Sequence, residues 1–323
     1  VRGIVWEGAG SKVKLGFVFP GQGAQYVGMG KEFLERYGEA YETFREADAR
    51  LGFSLSDIIQ NGPDDQLRLT YHTQPALLTT SIAALRVFQR HSDVLPFVTA
   101  GHSLGEYSAL VAAGHLDFSD AVELVYRRGR AMDVAVPAGQ GAMSAVLGMD
   151  TSALGEICRE VSENVGVVEL ANVNCPGQIV ISGTADAVRV AGEAAKAEGA
   201  RRVIPLDVSG PFHCSLMKPA SQSLEQSLAN TSISESSVAV IANVDGKPKR
   251  TDSEIRTALA EQLYKPVQWE QGVRTMLELG VDGFVEFGAG TVLSGLIRKI
   301  ERRIPVFHVE NESSLQETLQ AIS

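Results

Sequence analysis

Apolar and polar positions follow two different periods along this 323-residue chain. Residues 13–19 form a nearly unbroken apolar run ending at Pro20-Gly21, the pattern of a strand buried on both faces. Helical spacing then predicts helices around 39–51 and over 73–90, the second with Pro75 in its first turn, where a missing N–H is tolerated. A short apolar strand at 97–100 runs into Gly101-His102-Ser103-Leu104-Gly105 and a helix near 104–113. A further helix is expected over 118–136, with Ser119 and Asp120 as its capping signal.

The middle of the chain changes character. Strand 141–148, helix 151–164, strands 167–173 and 178–182 around Cys175-Pro176-Gly177, helix 185–198 and strand 201–206 follow one another. That β-α-β-β-α-β order is the split-βαβ signature of a ferredoxin-like unit. Alternation then resumes with strand 238–244, helices near 253–263 and 269–279, strand 283–287 and helix 292–302. The expected class is α/β, a mostly parallel sheet covered on both faces, with a small inserted subdomain. Residues 13–138 and 207–323 are expected to form the large subdomain and 139–206 the small one, with 1–12 read as a leader or tag-like segment.

Composition narrows the function classes. A chain 44% hydrophobic and 21% charged is an ordinary folded one. A net charge of −10 disfavours a protein built to grip nucleic acid. No apolar run reaches the length of a membrane span. Cys158, Cys175 and Cys214 are odd in number and irregular in spacing, which indicates neither a disulfide framework nor a zinc site. Cytoplasm is the default location, and no metal or redox cofactor is indicated.

Four features carry candidate chemistry. Gly-x-Ser-x-Gly between a strand and a helix is the nucleophile-elbow pattern, against the alternative of an ordinary turn serine. The helix after Ser103 offers unpaired N–H groups, so the Leu104 N–H is placed to bind an oxyanion. A serine nucleophile needs a base. Of six histidines, His102 should point away from its neighbour Ser103, and His72, His91 and His115 fall near helix ends as caps or surface groups. His308 lies late in the chain, and His213 follows Ser103 in hydrolase-type order; spacing alone does not choose between them. In the helix at 118–136, Ala121, Val125, Met132 and Ala135 share an apolar stripe with Arg128. A core-facing Arg needs a partner, either a carboxylate from another segment or a ligand anion. The fourth feature, Pro20-Gly21-Gln22-Gly23, is no P-loop, but its Gln22 N–H is a candidate second oxyanion donor.

Taken in order, FPGQGAQ (19–25), QPAL (74–77), GHSLGEYSAL (101–110), RGRAM (128–132), NCPGQIVISG (174–183), GPFHCSLMKP (210–219), QLYKPVQW (262–269) and EFGAGTVLSGL (286–296) resemble the malonyl-CoA:acyl carrier protein transacylase family. They resemble more broadly the acyltransferase domains of fatty acid and polyketide synthases. The resemblance implies a hydrolase-like α/β core with a ferredoxin-like insert. It implies Ser103 as nucleophile, His213 as base, Arg128 as partner of the malonyl carboxylate, and the N–H groups of Gln22 and Leu104 as oxyanion hole. The main-chain carbonyl of Gln262 would orient the base, Phe212 would mark malonyl preference, and Arg202 and Arg298 would lie near coenzyme A phosphates.

The implied substrates are malonyl-CoA and the phosphopantetheine thiol of an acyl carrier protein, with no permanently bound cofactor and a monomeric enzyme. An acidic carrier would need a basic patch, for which Arg298, Lys299, Arg302 and Arg303 on one late helix are candidates, with Lys218 and Lys265. Cys214 beside His213 is expected to sensitise the site to thiol reagents. The rival expectation is a serine thioesterase or esterase using Ser103 and His213, with Asp207 as its acid.

Overall fold

A computed structural model describes residues 13–323; the leader-like segment 1–12 lies outside the described residues. Among the described residues, ten strands are distributed between two sheets: β1 (Leu15–Phe19), β2 (Val98–Gly101), β3 (Gly141–Leu147), β4 (Val168–Cys175), β5 (Gln178–Thr184), β6 (Arg202–Pro205), β7 (Ala239–Ile241), β8 (Pro248–Lys249), β9 (Gly283–Phe287) and β10 (Val306–Val309). The larger sheet has the order β10-β9-β1-β2-β7-β8. Its first five strands are parallel and the short β8 is antiparallel at one edge. The second sheet has the order β4-β5-β3-β6 and is antiparallel throughout. This is the α/β class the pattern predicts, with the ferredoxin-like unit as a separate layer.

Burial on both faces explains the parallel sheet. In β1, Leu15, Phe17 and Phe19 pack into one apolar cluster while Val18 packs into the cluster on the other face. The helix Thr70–His91 fills the first side and is buried along most of its length. It crosses the helix Phe118–Ala135 closely at Gly129, where an added Cβ would lie 2.6 Å from the Tyr71 Cα. The missing side chain there lets the Arg128 backbone come close to the turn that carries Gln74.

Parallel strands place their C-terminal ends on one edge. Gly21 and Gln22 leave β1 there, Ser103 leaves β2 and Asn243 leaves β7. The small subdomain is stitched to this edge through β4: Val173 N donates to Val267 O at 2.9 Å and Val267 N to Ala171 O at 2.8 Å.

Several boundaries differ from the sequence pattern. The helix predicted over 73–90 starts at Thr70, so Pro75 sits in its second turn. The helix Phe118–Ala135 is capped by Asp117, whose carboxylate accepts from Ser119 N and Asp120 N. Strand 238–244 shortens to Ala239–Ile241, which frees Asn243 from the ladder. The late helix stops at Ile300, leaving Arg302 and Arg303 in the following turn. The helix Lys218–Ala229 is one the pattern does not predict, because only Ala220, Leu224 and Leu228 mark a narrow apolar stripe among polar residues.

Gly129→Ala forces a methyl group against backbone, which no rotamer relieves. The expected cost is about 1–3 kcal/mol, the range for overpacking. Urea unfolding of the variant should show the loss as a lower midpoint with an unchanged slope.

Candidate active site

Among the described residues, only Ser103 (φ 52°) and His213 (φ 58°) are non-glycine residues with positive φ. Such backbone costs on the order of 1–3 kcal/mol and persists only where the surroundings impose it. At the elbow the surroundings are close contacts: a Cβ on Gly101 would lie 1.8 Å from Gly105 C, and one on Gly105 would lie 2.1 Å from Phe19 O. Neither position accepts a side chain, so the turn projects Ser103 from the sheet edge.

The two strained residues meet. Ser103 Oγ lies 2.7 Å from His213 Nε2, and His213 Nδ1 donates to the main-chain carbonyl of Gln262 at 2.7 Å. That carbonyl fixes the tautomer, leaving Nε2 as the acceptor for the serine proton. Burial pushes His213 down to about 3, the Arg128 cation pushes the same way, and the Gln262 carbonyl opposes both. The base is therefore neutral at physiological pH. Its loop is tied down by Glu169 of β4, which accepts from Ser215 N at 2.8 Å and Ser215 Oγ at 2.6 Å.

Arg128 is 1% exposed, and among the described residues no carboxylate contacts it. Its Nη1 donates to Gln74 Oε1 at 2.7 Å, and its Nη2 to Gln262 Oε1 at 2.9 Å and to Ser103 Oγ at 3.3 Å. The guanidinium also lies over the Tyr107 ring, 5.4 Å from its centroid. The cation thus faces the nucleophile and is held by neutral amides. On the opposite face of this helix Arg127 pairs with Glu123 and Arg130 lies over Tyr71, both exposed to solvent.

Gln22 and Leu104 lie on the two neighbouring loops after β1 and β2, and a Cβ on Gly21 would lie 3.7 Å from Leu104 N. Among the described residues neither main-chain N–H has an acceptor. A Cβ on Gly21 would lie 2.2 Å from His102 O, which shows how closely the loop after β1 meets the elbow. A cavity of about 300 Å³ opens beside them between the two sheets, lined by Gln22 and His102 on one side and Asn172, Asn174 and Val180 on the other. Phe212 is buried beside the base.

Other candidates fall elsewhere. His102 turns to Asn174 Oδ1 at 2.7 Å. His115, expected as a cap or surface group, is buried between the carbonyls of Ser234 and Val238. His308 lies within β10. Asp207, the acid of the rival reading, pairs with Arg68 at the surface and does not reach His213. Arg202 is exposed on β6, and Arg298 is exposed and donates to Val306 O at 2.8 Å; neither lines the cavity. Lys299 reaches Gln178, whereas Lys218 and Lys265 gather around Tyr264. Cys214 is fully buried and burial pushes its thiol up to about 11, the opposite of a reagent-sensitive thiol.

Three residues that the sequence pattern did not single out complete the site. Asn243 Oδ1 accepts from Ser103 N at 2.8 Å and its Nδ2 donates to Gly101 O at 2.7 Å, bracing both arms of the elbow. Gln74 holds Arg128. Glu106 is 2% exposed and accepts from Gln262 Nε2 at 2.7 Å and Asn243 N at 3.1 Å. The available signal for Glu106 was a lone charge in an otherwise apolar helix start; Asn243 gave none.

A serine, a neutral imidazole and two free N–H groups on one sheet edge make a centre for acyl transfer. A family model described as "Acyl transferase domain" matches residues 16–309, and the chain belongs to that family. The malonyl CoA-acyl carrier protein transacylase of Bacillus subtilis (strain 168) is 50% identical over 309 residues, which cover 96% of this chain and 97% of the relative. The protein of that name from Escherichia coli (strain K12) is 46% identical over 95% of this chain and 99% of its own. Among solved structures, the transacylase of Coxiella burnetii superposes with a TM-score of 0.94 at 40% identity, covering 96% of this chain and 98% of that one. A malonyl-transacylase in complex with its type II PKS acyl-carrier protein superposes with a TM-score of 0.92 at 43% identity, covering 95% of this chain and 99% of that one.

The depressed His213 value has a kinetic consequence. Because the folded value lies well below the ordinary imidazole range, the base stays unprotonated as the medium is acidified. Acylation of Ser103 by the uncharged ester p-nitrophenyl acetate should keep a nearly constant rate from about pH 7.5 to about pH 5. An inflection near the ordinary imidazole value of about 6.5 would contradict this electrostatic picture.

Proposed function

We propose that this enzyme moves a malonyl group from malonyl-CoA to the phosphopantetheine thiol of an acyl carrier protein, through an ester on Ser103. The observation that carries the reading is the placement of Arg128, a buried cation 3.3 Å from Ser103 Oγ with no carboxylate of its own. A substrate with a free carboxylate two bonds from its thioester carbonyl supplies the missing anion where the acyl group must sit. A guanidinium suits that group because two parallel hydrogen bonds fix its orientation.

The chemistry follows in two halves. His213 Nε2 takes the Ser103 proton as Oγ bonds to the thioester carbon, and the N–H groups of Gln22 and Leu104 hold the oxygen as it gains charge. The carbon–sulfur bond breaks, coenzyme A leaves with the proton from His213, and malonyl-Ser103 remains. The carrier thiol then gives its proton to His213 and its sulfur bonds to the same carbon. The ester bond breaks and Ser103 recovers the proton, a ping-pong exchange. Phe212 shapes the acyl pocket, and Gln262 holds the base through its carbonyl. Arg202 and Arg298 are assigned to coenzyme A phosphates on the family resemblance alone. The enzyme works as a cytoplasmic monomer supplying fatty acid synthesis, and residues 139–206 form the unit that closes the cavity over the substrate arm.

Intact-mass spectrometry of the enzyme and a holo-carrier protein mixed with malonyl-CoA tests this. The malonyl mass should appear on the enzyme, then on the carrier, and on neither with Ser103→Ala. Arg128→Ala should lose malonyl labelling by two or more orders of magnitude, about the cost of an unpaired buried charge, and keep labelling by acetyl-CoA. Free malonate with an unmodified carrier would make the enzyme a thioesterase instead.

A further inference from the structure

Around Gln262 lies a polar knot of which the mechanism above uses only the Gln262 carbonyl and Arg128. Gln262 is fully buried, and its three polar groups point three ways. The main-chain carbonyl holds His213, the side-chain Oε1 holds Arg128, and Nε2 faces Ser103 O at 3.0 Å, Glu106 Oε2 at 2.7 Å and Asn243 Oδ1 at 3.2 Å. One residue therefore positions both the base and the substrate-binding cation.

The end of that amide which faces Arg128 is not free to vary. Arginine is donor-only, so Gln262 must turn its oxygen toward it. All three groups facing Nε2 are oxygen acceptors that favour this turn, and Glu106 makes the shortest contact and is the only one of them capable of negative charge. An amide flipped by 180° would put N–H against guanidinium and oxygen against carboxylate. Burial raises Glu106 to about 7, while the N–H donors of Asn243 and Gln262 and the charge of Arg128 draw it back.

The placement of the carboxylate matters as much as its presence. Directly on Arg128 it would occupy the hydrogen bonds that a substrate needs. One amide away, it offsets the buried cation through Gln262 and leaves the Nη2 edge facing Ser103.

The geometry points to Glu106 as a positioning residue for acyl-group selection: by fixing the Gln262 amide, it aims Arg128 at the substrate carboxylate. This rests on the function proposed above. Substrates without a carboxylate use the base and the oxyanion donors but not Arg128, so the effect of Glu106 should be selective among acyl groups.

The test is single-turnover acylation of Ser103 by malonyl-CoA and by acetyl-CoA, followed by intact mass across a range of thioester concentrations, in the wild type and Glu106→Gln. The expected result is a malonyl-to-acetyl ratio of kcat/KM that falls about tenfold, mainly through a higher half-saturating malonyl-CoA concentration. Rates that fall alike for both thioesters would assign Glu106 a structural role and overturn the inference, as would an unchanged ratio. Should Glu106→Gln not fold, Glu106→Asp carries the same test, since its shorter arm withdraws the carboxylate from Gln262, and the same ratio decides. A wild type that takes no malonyl group on Ser103 would sink the functional reading itself, an outcome distinct from a wild type that prefers malonyl beside a variant that does so equally.

Discussion

A cation buried without a carboxylate is the constraint around which this site is built. Desolvating a guanidinium is costly unless its N–H groups are met and its charge is offset. Arg128 has neutral oxygens from Gln74, Gln262 and Ser103, an aromatic face from Tyr107, and a carboxylate only at one remove, on Glu106. That arrangement stabilises the cation enough to bury it and leaves it short of a full partner. Burial keeps His213 unprotonated, and the same charge adds to that effect.

Everything else serves to bring four chain segments to that cation. Parallel strands deliver Gln22, Ser103 and Asn243 to one edge, and the missing side chain at Gly129 lets one helix bring Arg128 against another that carries Gln74. Strain at Ser103 and His213 is concentrated where the chemistry is, and is held by contacts that admit no Cβ and by the Glu169 and Asn243 hydrogen bonds. The ferredoxin-like unit contributes the far wall of the cavity and the clamp on the histidine loop. Both sheets are therefore needed to define one site.

Much of this was legible in the chain. The β-α-β-β-α-β order of 141–206 revealed the insert, because period-2 and period-3.6 stretches alternate there without ambiguity. The elbow was legible because its glycines and its flanking strand and helix are local. Arg128 was legible as an anomaly, a charge on an apolar stripe, although pattern could not say what met it. The base was not chosen by pattern, since Ser103 and His213 are 110 residues apart and only the fold brings them together. Asn243 stayed invisible for a related reason: an apolar run continuing to 244 hides the residue that leaves the ladder early. The candidate cations split for lack of tertiary information, with Arg302 and Arg303 in a turn and Lys218 and Lys265 around Tyr264.

The most direct measurement is a crystal structure of the malonyl-Ser103 ester, trapped by soaking with malonyl-CoA in the absence of carrier. The expected result is the malonyl carboxylate within hydrogen-bond distance of the Arg128 guanidinium, with the Gln262 amide still between Arg128 and Glu106. A carboxylate turned to solvent, with Arg128 bound as before to Gln74 and Gln262 alone, would contradict the assignment of that cation to the substrate.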